Sequence, residues 1–192
     1  MSKKDKIVQA AIEVFKEKGI ERTKVSDIVK AAGIAQGTYY LYFPSKLAVM
    51  PAIADVLIEI LVADIRKEIN TNDPFKTQLD DLVEVMYQHT KEYRDVHSLV
   101  YAGLSSTEYL QQWEEIYEPF YEWLGDVLEK AIKREEVRQE MNAKRTAKLL
   151  IGTIETSAEQ AYLYDQTDEK EIDEQKKELR TFINQALGTK ND

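Results

Sequence analysis

The sequence predicts an all-α fold, and three observations predict it. Apolar residues make up 43% of the 192 positions and charged residues 32%, with only seven Gly and four Pro, the balance of a helix-rich globular chain. Apolar side chains recur at three- and four-residue spacing along nearly the whole length, and no Val/Thr-rich run of period two interrupts them. Ala, Leu, Glu, Lys and Gln, the good helix formers, dominate the segments between the breaks. At roughly 100 to 200 residues per domain, this length makes one large domain or two small ones and is ample to bury a core. The absence of Cys excludes thiol catalysis, Fe–S clusters, Cys-type zinc sites and a disulfide framework. Asp5 and Glu13 fall where a signal peptide needs an uninterrupted apolar stretch, and the greasiest region, Leu47 to Ala63, carries Pro51, Asp55 and Glu59. That region is shorter than the roughly 20 residues of a membrane span, so the expectation is a cytoplasmic protein with no membrane partner.

About nine helices follow from the punctuation. Ile7, Ala11, Val14 and Phe15 lie at helical spacing between Lys4 and Lys18, and Gly19 stops that first helix. Val25, Ile28 and Val29 mark a short second helix closed by Ala31, Ala32 and Gly33, and a third runs from Gln36 to Tyr42 until Pro44 and Ser45 break it. Ser45 is suited to cap a long fourth helix over 46–69. Pro51 inside it predicts a kink or a late start near 47–51, because Pro lacks an N–H and clashes one turn back. Helical patterns then cover 75–93, 95–104, 107–136, 142–164 and 168–187, with no internal repeat.

The formal net charge of −9 argues against a nucleic-acid partner until it is divided. Residues 1–50 carry nine Lys/Arg against five acids, a net of +4, which leaves −13 for the remainder. A basic module joined to an acidic body fits a chain that touches a polyanion at one end. Chance and solvated helix faces explain the same asymmetry, so charge alone does not decide.

Residues 25–43 have the shape of a helix-turn-helix, which by pattern alone also fits a structural hairpin. The content of the second helix is more informative, since Gln36, Thr38, Tyr40 and Tyr42 stand where a core helix carries aliphatics. Gln pairs bidentately with adenine in the major groove, and hydroxyls bind phosphates. The run from Ile7 to Lys46, above all KVSDIVKAAGIAQGTYYLYFPSK, closely resembles the DNA-binding domain of tetracycline-repressor-like (TetR family) transcriptional regulators. The resemblance implies a three-helix DNA-binding head over 1–46 and a long fourth helix leading into a helical effector-binding and dimerisation body over 47–192. It also implies a homodimer that a small effector releases from double-stranded operator DNA. By position it makes Gln36, Gly37 and Tyr40 groove readers, Thr23, Lys24, Thr38, Tyr42 and Lys46 phosphate contacts, and Ser26 a base or backbone contact. Tyr39 matches a core position. Two departures stand out: Ala35 replaces the usual Ser cap, and Pro51 is unusual in helix four.

The eight Tyr outside the head fall between 87 and 164, and both Trp, 113 and 123, lie among them. Within the effector domain that the resemblance supplies, Tyr87, Tyr93, Tyr101, Trp113, Tyr117, Phe120, Glu155 and Tyr162 are the candidate pocket residues for a largely apolar effector, although ordinary core packing explains any single aromatic as well. Glu155 and Glu159, one turn apart, also suit a cationic effector, a solvated face or a pair across a dimer. His89 and His97 lack metal-ligand spacing, so no metal and no cofactor is expected. Ile151, Ile154, Ala158 and Ala161 form one stripe, and Leu179, Phe182 and Ile183 another. Paired with their copies, these make a four-helix dimer seam, the alternative being that they cover the body's own core. A dimer also suits two half-sites about 34 Å apart or a multiple of that.

Two rival functions remain. An enzyme finds no support, since no P-loop, no GxGxxG and no metal-spaced cluster is present. A helical adaptor or corepressor that binds a protein without reading DNA is the alternative, opposed by the basic residues and hydroxyls around the third helix.

Overall fold

The computed structural model describes residues 1–104, 110–164 and 168–189, without the side chains of 104, 110, 111 and 113. Among them are nine α-helices and no strand: α1 (Lys3–Lys18), α2 (Val25–Ala32), α3 (Gln36–Tyr40), α4 (Met50–Glu68), α5 (Phe75–Glu92), α6 (Arg94–Leu104), α7 (Leu110–Lys133), α8 (Ala143–Glu159) and α9 (Glu169–Leu187). A single 3₁₀ turn, Leu47–Val49, precedes α4, and a π turn, Gln160–Tyr164, continues α8. Two compact units result, Met1–Glu59 with Asp95–Ile116 and Ile60–Arg94 with Tyr117–Asp192. The boundary between these units lies inside α4, and residues 95–104 of α6 belong to the first unit.

In the first unit, α1 starts on a reciprocal cap. The Asp5 N–H donates to Ser2 Oγ at 3.1 Å, and the Ser2 N–H donates to the Asp5 carboxylate at 2.7 Å. Its inward face, Ile7, Ala11, Val14 and Phe15, is buried with Ile28 and Val29 of α2. Gly33 closes α2 in the left-handed region (φ 65°, ψ 36°), where a side chain is strained, and so makes the tight turn into α3.

A five-residue helix has almost no stability of its own, and Ala35 offers α3 no side-chain cap. Tyr39 supplies the anchor instead. Its ring is fully buried beside Phe43, centroids 5.6 Å apart, and its hydroxyl donates to the carbonyls of Ser45 (3.1 Å) and Lys46 (3.2 Å). Beyond that anchor Ser45 Oγ accepts from the Ala48 N–H at 3.3 Å, and the regular α-helix begins only at Met50. This is the late start that Pro51 predicts. In the first turn of α4 its missing N–H costs little.

In the second unit α5 packs on α8, and α9 lies against both. Leu79, Leu82, Val83 and Met86 of α5 meet a core completed by Ile151, Ile154 and Ala158 of α8 and by Ile172, Leu179 and Ile183 of α9. Glu84 of α5 is clasped by Lys176 (2.9 Å) and Arg180 of α9. Burial pushes the Glu84 carboxyl up, and the two cations outweigh that and hold it below its ordinary range. Pro119 sits inside α7 and removes one hydrogen bond from it. No helix of the described residues is long and apolar enough to cross a membrane.

If Tyr39 holds α3 as described, Tyr39→Phe keeps the packing and loses the hydroxyl's bonds, a cost of about 1 kcal/mol. Tyr39→Ala removes the ring as well and costs roughly 3–5 kcal/mol. Urea denaturation followed by circular dichroism measures both.

Candidate nucleic-acid interface

The outward surface of α2 and α3 is built from the residues between their buried ones. Val29, Tyr39 and Phe43 point inward, which leaves Lys24, Ser26, Gln36, Gly37, Tyr40 and Tyr42 exposed and Thr38 half-buried. No side chain or backbone lies within 4 Å of the position a Cβ on Gly37 would take, so a second molecule has room to approach that backbone. The N-terminus of α2 is tightened by Asp27, whose carboxylate accepts from the Lys24 N–H (2.9 Å) and from Lys18 Nζ (2.9 Å). Those bonds hold the Asp27 carboxyl below its ordinary range, the Lys24 backbone contributing most. The acid is thereby committed to the fold and does not confront an approaching phosphate as a free charge.

Two residues expected at phosphates are otherwise engaged. Thr23 is buried, and its hydroxyl donates to the Gly19 carbonyl at 2.8 Å, closing the turn after α1. Lys46 Nζ donates to the carbonyls of Ile20 (2.6 Å) and Glu21 (3.4 Å), so it ties the end of the reading segment to the loop between α1 and α2. Both serve to position the face. Sequence reasoning also passed over Leu41, which follows α3 directly and is exposed. Its signal was an aliphatic inside a run of four aromatics, Tyr39 to Phe43.

Of the expected effector residues, Tyr87, Tyr93, Tyr117, Phe120, Glu155 and Tyr162 belong to the second unit. Tyr101 belongs to the first, and the side chain of Trp113 lies outside the described residues, as does Tyr109. The buried Tyr87 hydroxyl shares a 2.6 Å hydrogen bond with Ser157 Oγ, and Gln175 Nε2 donates to the same oxygen at 3.0 Å, joining α5, α8 and α9. Tyr162 meets the Tyr87 ring edge-on at 6.1 Å. The Tyr117 hydroxyl donates to Glu155, and Phe120 is fully buried one turn along α7. Burial lifts the Glu155 carboxyl from its ordinary 4.5 to about 7, against the pull of the Tyr117 hydrogen bond and with a push from buried Glu159. Tyr93 lies away from this cluster, with its ring 4.8 Å from that of His89. The chain's own cations already cover several of these rings: Lys148 stands 4.6 Å from the Tyr121 centroid, Lys176 5.6 Å from that of Tyr87 and Lys91 5.9 Å from that of Tyr162. His97, on α6, is buried, which lowers it to about 4 and keeps it neutral.

The expected dimer seam divides in two. Ile151, Ile154, Ala158, Ala161, Leu179 and Ile183 are buried within the single protomer. Helical period places these side chains on the inward faces of α8 and α9. Phe182 is 60% exposed, and Leu149, which sequence reasoning did not single out, is 72% exposed. Beside Leu149 an open groove of about 670 Å³ is lined by Gly152, Thr153, Thr156 and Leu179 among others.

Comparison with known proteins accounts for both ends of the chain. Residues 7–53 match the family described as "Bacterial regulatory proteins, tetR family", and residues 79–187 match "Tetracyclin repressor-like, C-terminal domain". Over 187 residues the chain is 42% identical to the uncharacterized HTH-type transcriptional regulator YvdT of Bacillus subtilis (strain 168), covering 97% of this chain and 96% of that one. It is 27% identical over 169 residues to the fatty acid metabolism regulator protein of the same organism, covering 83% and 84%. Its fold matches the solved structure of the fatty acid degradation regulator FadR from Bacillus halodurans with a TM-score of 0.75, at 24% identity over 95% of each chain. With an exposed helix-turn-helix face at one end and both halves of the sequence matched, this chain belongs to the tetR family of bacterial transcriptional regulators.

Proposed function

We propose that the protein is a homodimeric repressor that reads a two-fold symmetric operator through α3 and leaves it when a small, largely apolar effector binds the second unit. The observation that carries this reading is the exposure of Gln36, Tyr40 and Tyr42 on a short segment anchored from behind by Tyr39 and Phe43. Polar and aromatic side chains held outward by a rigid support are arranged for an external partner, and the excess of cations in residues 1–50 fits a partner made of phosphates. In this arrangement Gln36 and Tyr40 read base edges, with Gly37 allowing close approach. Lys24, Ser26, Thr38 and Tyr42 hold phosphates, while Thr23 and Lys46 position the face from behind.

Dimerisation is assigned to the outer face of α8 and α9. Leu149 and Phe182 are the large apolar groups left uncovered there, and Gly152 permits close approach. Buried Tyr87, Tyr117 and Phe120 and half-buried Glu155 are assigned to the effector region. A carboxyl that titrates near neutrality meets an uncharged ligand without the full cost of a buried charge. The relative named as a fatty acid metabolism regulator supports an apolar effector.

Selection of bound duplexes from a random pool by the purified protein tests the whole reading, and a two-fold symmetric sequence is the expected product. On that duplex Gln36→Ala costs about 1–3 kcal/mol and leaves binding to unrelated DNA unchanged. Lys24→Ala weakens all duplexes alike and lowers the slope of log K against log salt by about one phosphate. Equal losses on cognate and unrelated DNA for Gln36→Ala contradict its role as a base reader.

Glu155 gives a prediction in pH. Its folded value of about 7 lies above the ordinary 4.5, so the folded chain keeps a proton that the unfolded chain releases. The stability this confers is fully present below pH 4.5 and is lost as pH rises through 7. Glu155→Gln carries no such dependence. The two proteins should match in urea midpoint below pH 4.5, and by pH 8 the variant should be the more stable by about 3 kcal/mol.

A further inference from the structure

Tyr40, Leu41 and Tyr42 are 49%, 82% and 43% exposed, and among the described residues no other run of three consecutive large apolar side chains is so uncovered. The backbone fixes where Leu41 points. It keeps helical dihedrals (φ −70°, ψ −24°), and the Phe43 N–H bonds the Tyr39 carbonyl at 2.9 Å, so the helical path of α3 continues for one more turn. Tyr39 and Phe43, both buried, define the inward direction. At about 100° per residue, Leu41 stands roughly 180° from their midpoint, the most outward position of the segment. Gly37, one turn earlier on the same side, leaves the space beside it open.

An isobutyl group has nothing to offer a phosphate or a base edge that seeks hydrogen bonds. The apolar group that B-form DNA presents in the major groove is the C5 methyl of thymine. We propose that Leu41 is a specificity-determining residue, its side chain packing on the methyl group of one thymine in each operator half-site. This rests on the assignment of α3 as the reading helix and adds the base and the atom that Leu41 reads. It separates two kinds of recognition on one short element: hydrogen bonding by Gln36 and methyl packing by Leu41.

The test uses the full-length protein and the duplex it selects. Each thymine is replaced in turn by deoxyuridine, which removes the methyl group and leaves the pairing intact. One position per half-site is expected to weaken wild-type binding several-fold. Leu41→Ala should weaken binding to the unmodified duplex about tenfold and be indifferent to deoxyuridine at that same position, while Leu41→Met retains the sensitivity. Since Leu41 is a surface residue, unchanged thermal melting checks that the variants are folded. The assignment is overturned if Leu41→Ala binds as the wild type does, or if wild type and variant lose equally at every deoxyuridine. If the wild-type protein selects no sequence, the reading of α3 as a DNA interface falls first, and this assignment falls with it.

Discussion

The phenol of Tyr39 is the constraint on which the DNA-facing end depends. A helix of five residues pays nearly the whole cost of nucleation and recovers little of it in internal hydrogen bonds, and α3 has no capping side chain to help. One fully buried ring offsets part of that cost by packing, and its hydroxyl reaches across the break at Pro44 to the carbonyls of Ser45 and Lys46. Lys46 then reaches back to the loop after α1, where Thr23 has already closed the turn. Three side chains thus form a brace behind the exposed face. Gln36, Tyr40, Leu41 and Tyr42 can carry polar or awkwardly apolar groups because none of them has to hold the helix in place.

Electrostatics follows the same division of labour. The +4 of residues 1–50 against −13 elsewhere attracts a polyanion to one end and disfavours it over the rest, which lowers non-specific binding and biases the encounter. Within the basic end two of the five acids are engaged by the fold. Asp5 is held by the N-terminus of α1 and Asp27 by the backbone of Lys24 and the Lys18 ammonium, and both carboxyls lie below their ordinary range for that reason. Lys24 and Lys30 remain exposed. Fewer cations are therefore available to phosphates than a residue count implies, since Lys18 and Lys46 already serve the protein's own acceptors.

What the sequence revealed and what it withheld differ in kind. Helix period, Gly33 and Pro51 are local signals, and they placed α1 to α4 and the late start of α4 closely. The motif from Ile7 to Lys46 carried the family, and with it the architecture. Whether a side chain faces outward, inward or into a hydrogen bond depends on neighbours distant in sequence. Thr23 and Lys46 were therefore legible as polar residues near the reading helix and not as its braces. The boundary of the two compact units inside α4 has no local signal, because an apolar helix that serves two units reads the same as one that serves a single unit.

The same reasoning explains why α8 misleads when read alone. It buries Ala147, Ile151, Ile154 and Ala158 on one side, while Leu149 stands out on the other and Glu155 and Ser157 make hydrogen bonds to Tyr117 and Tyr87. The helix therefore carries apolar groups on two faces with bonded polar groups between them. The strongest apolar stripe is the one the protomer consumes in its own core, which leaves Leu149 and Gly152 exposed on the other face. A polar seam buried between two apolar faces is costly unless each member is bonded. Here it is bonded across helices in two sets, Tyr117 to Glu155 between α7 and α8, and Tyr87 to Ser157 and Gln175 among α5, α8 and α9. A ligand that entered this seam would have to break or replace these hydrogen bonds, since an unbonded polar group left buried there is costly.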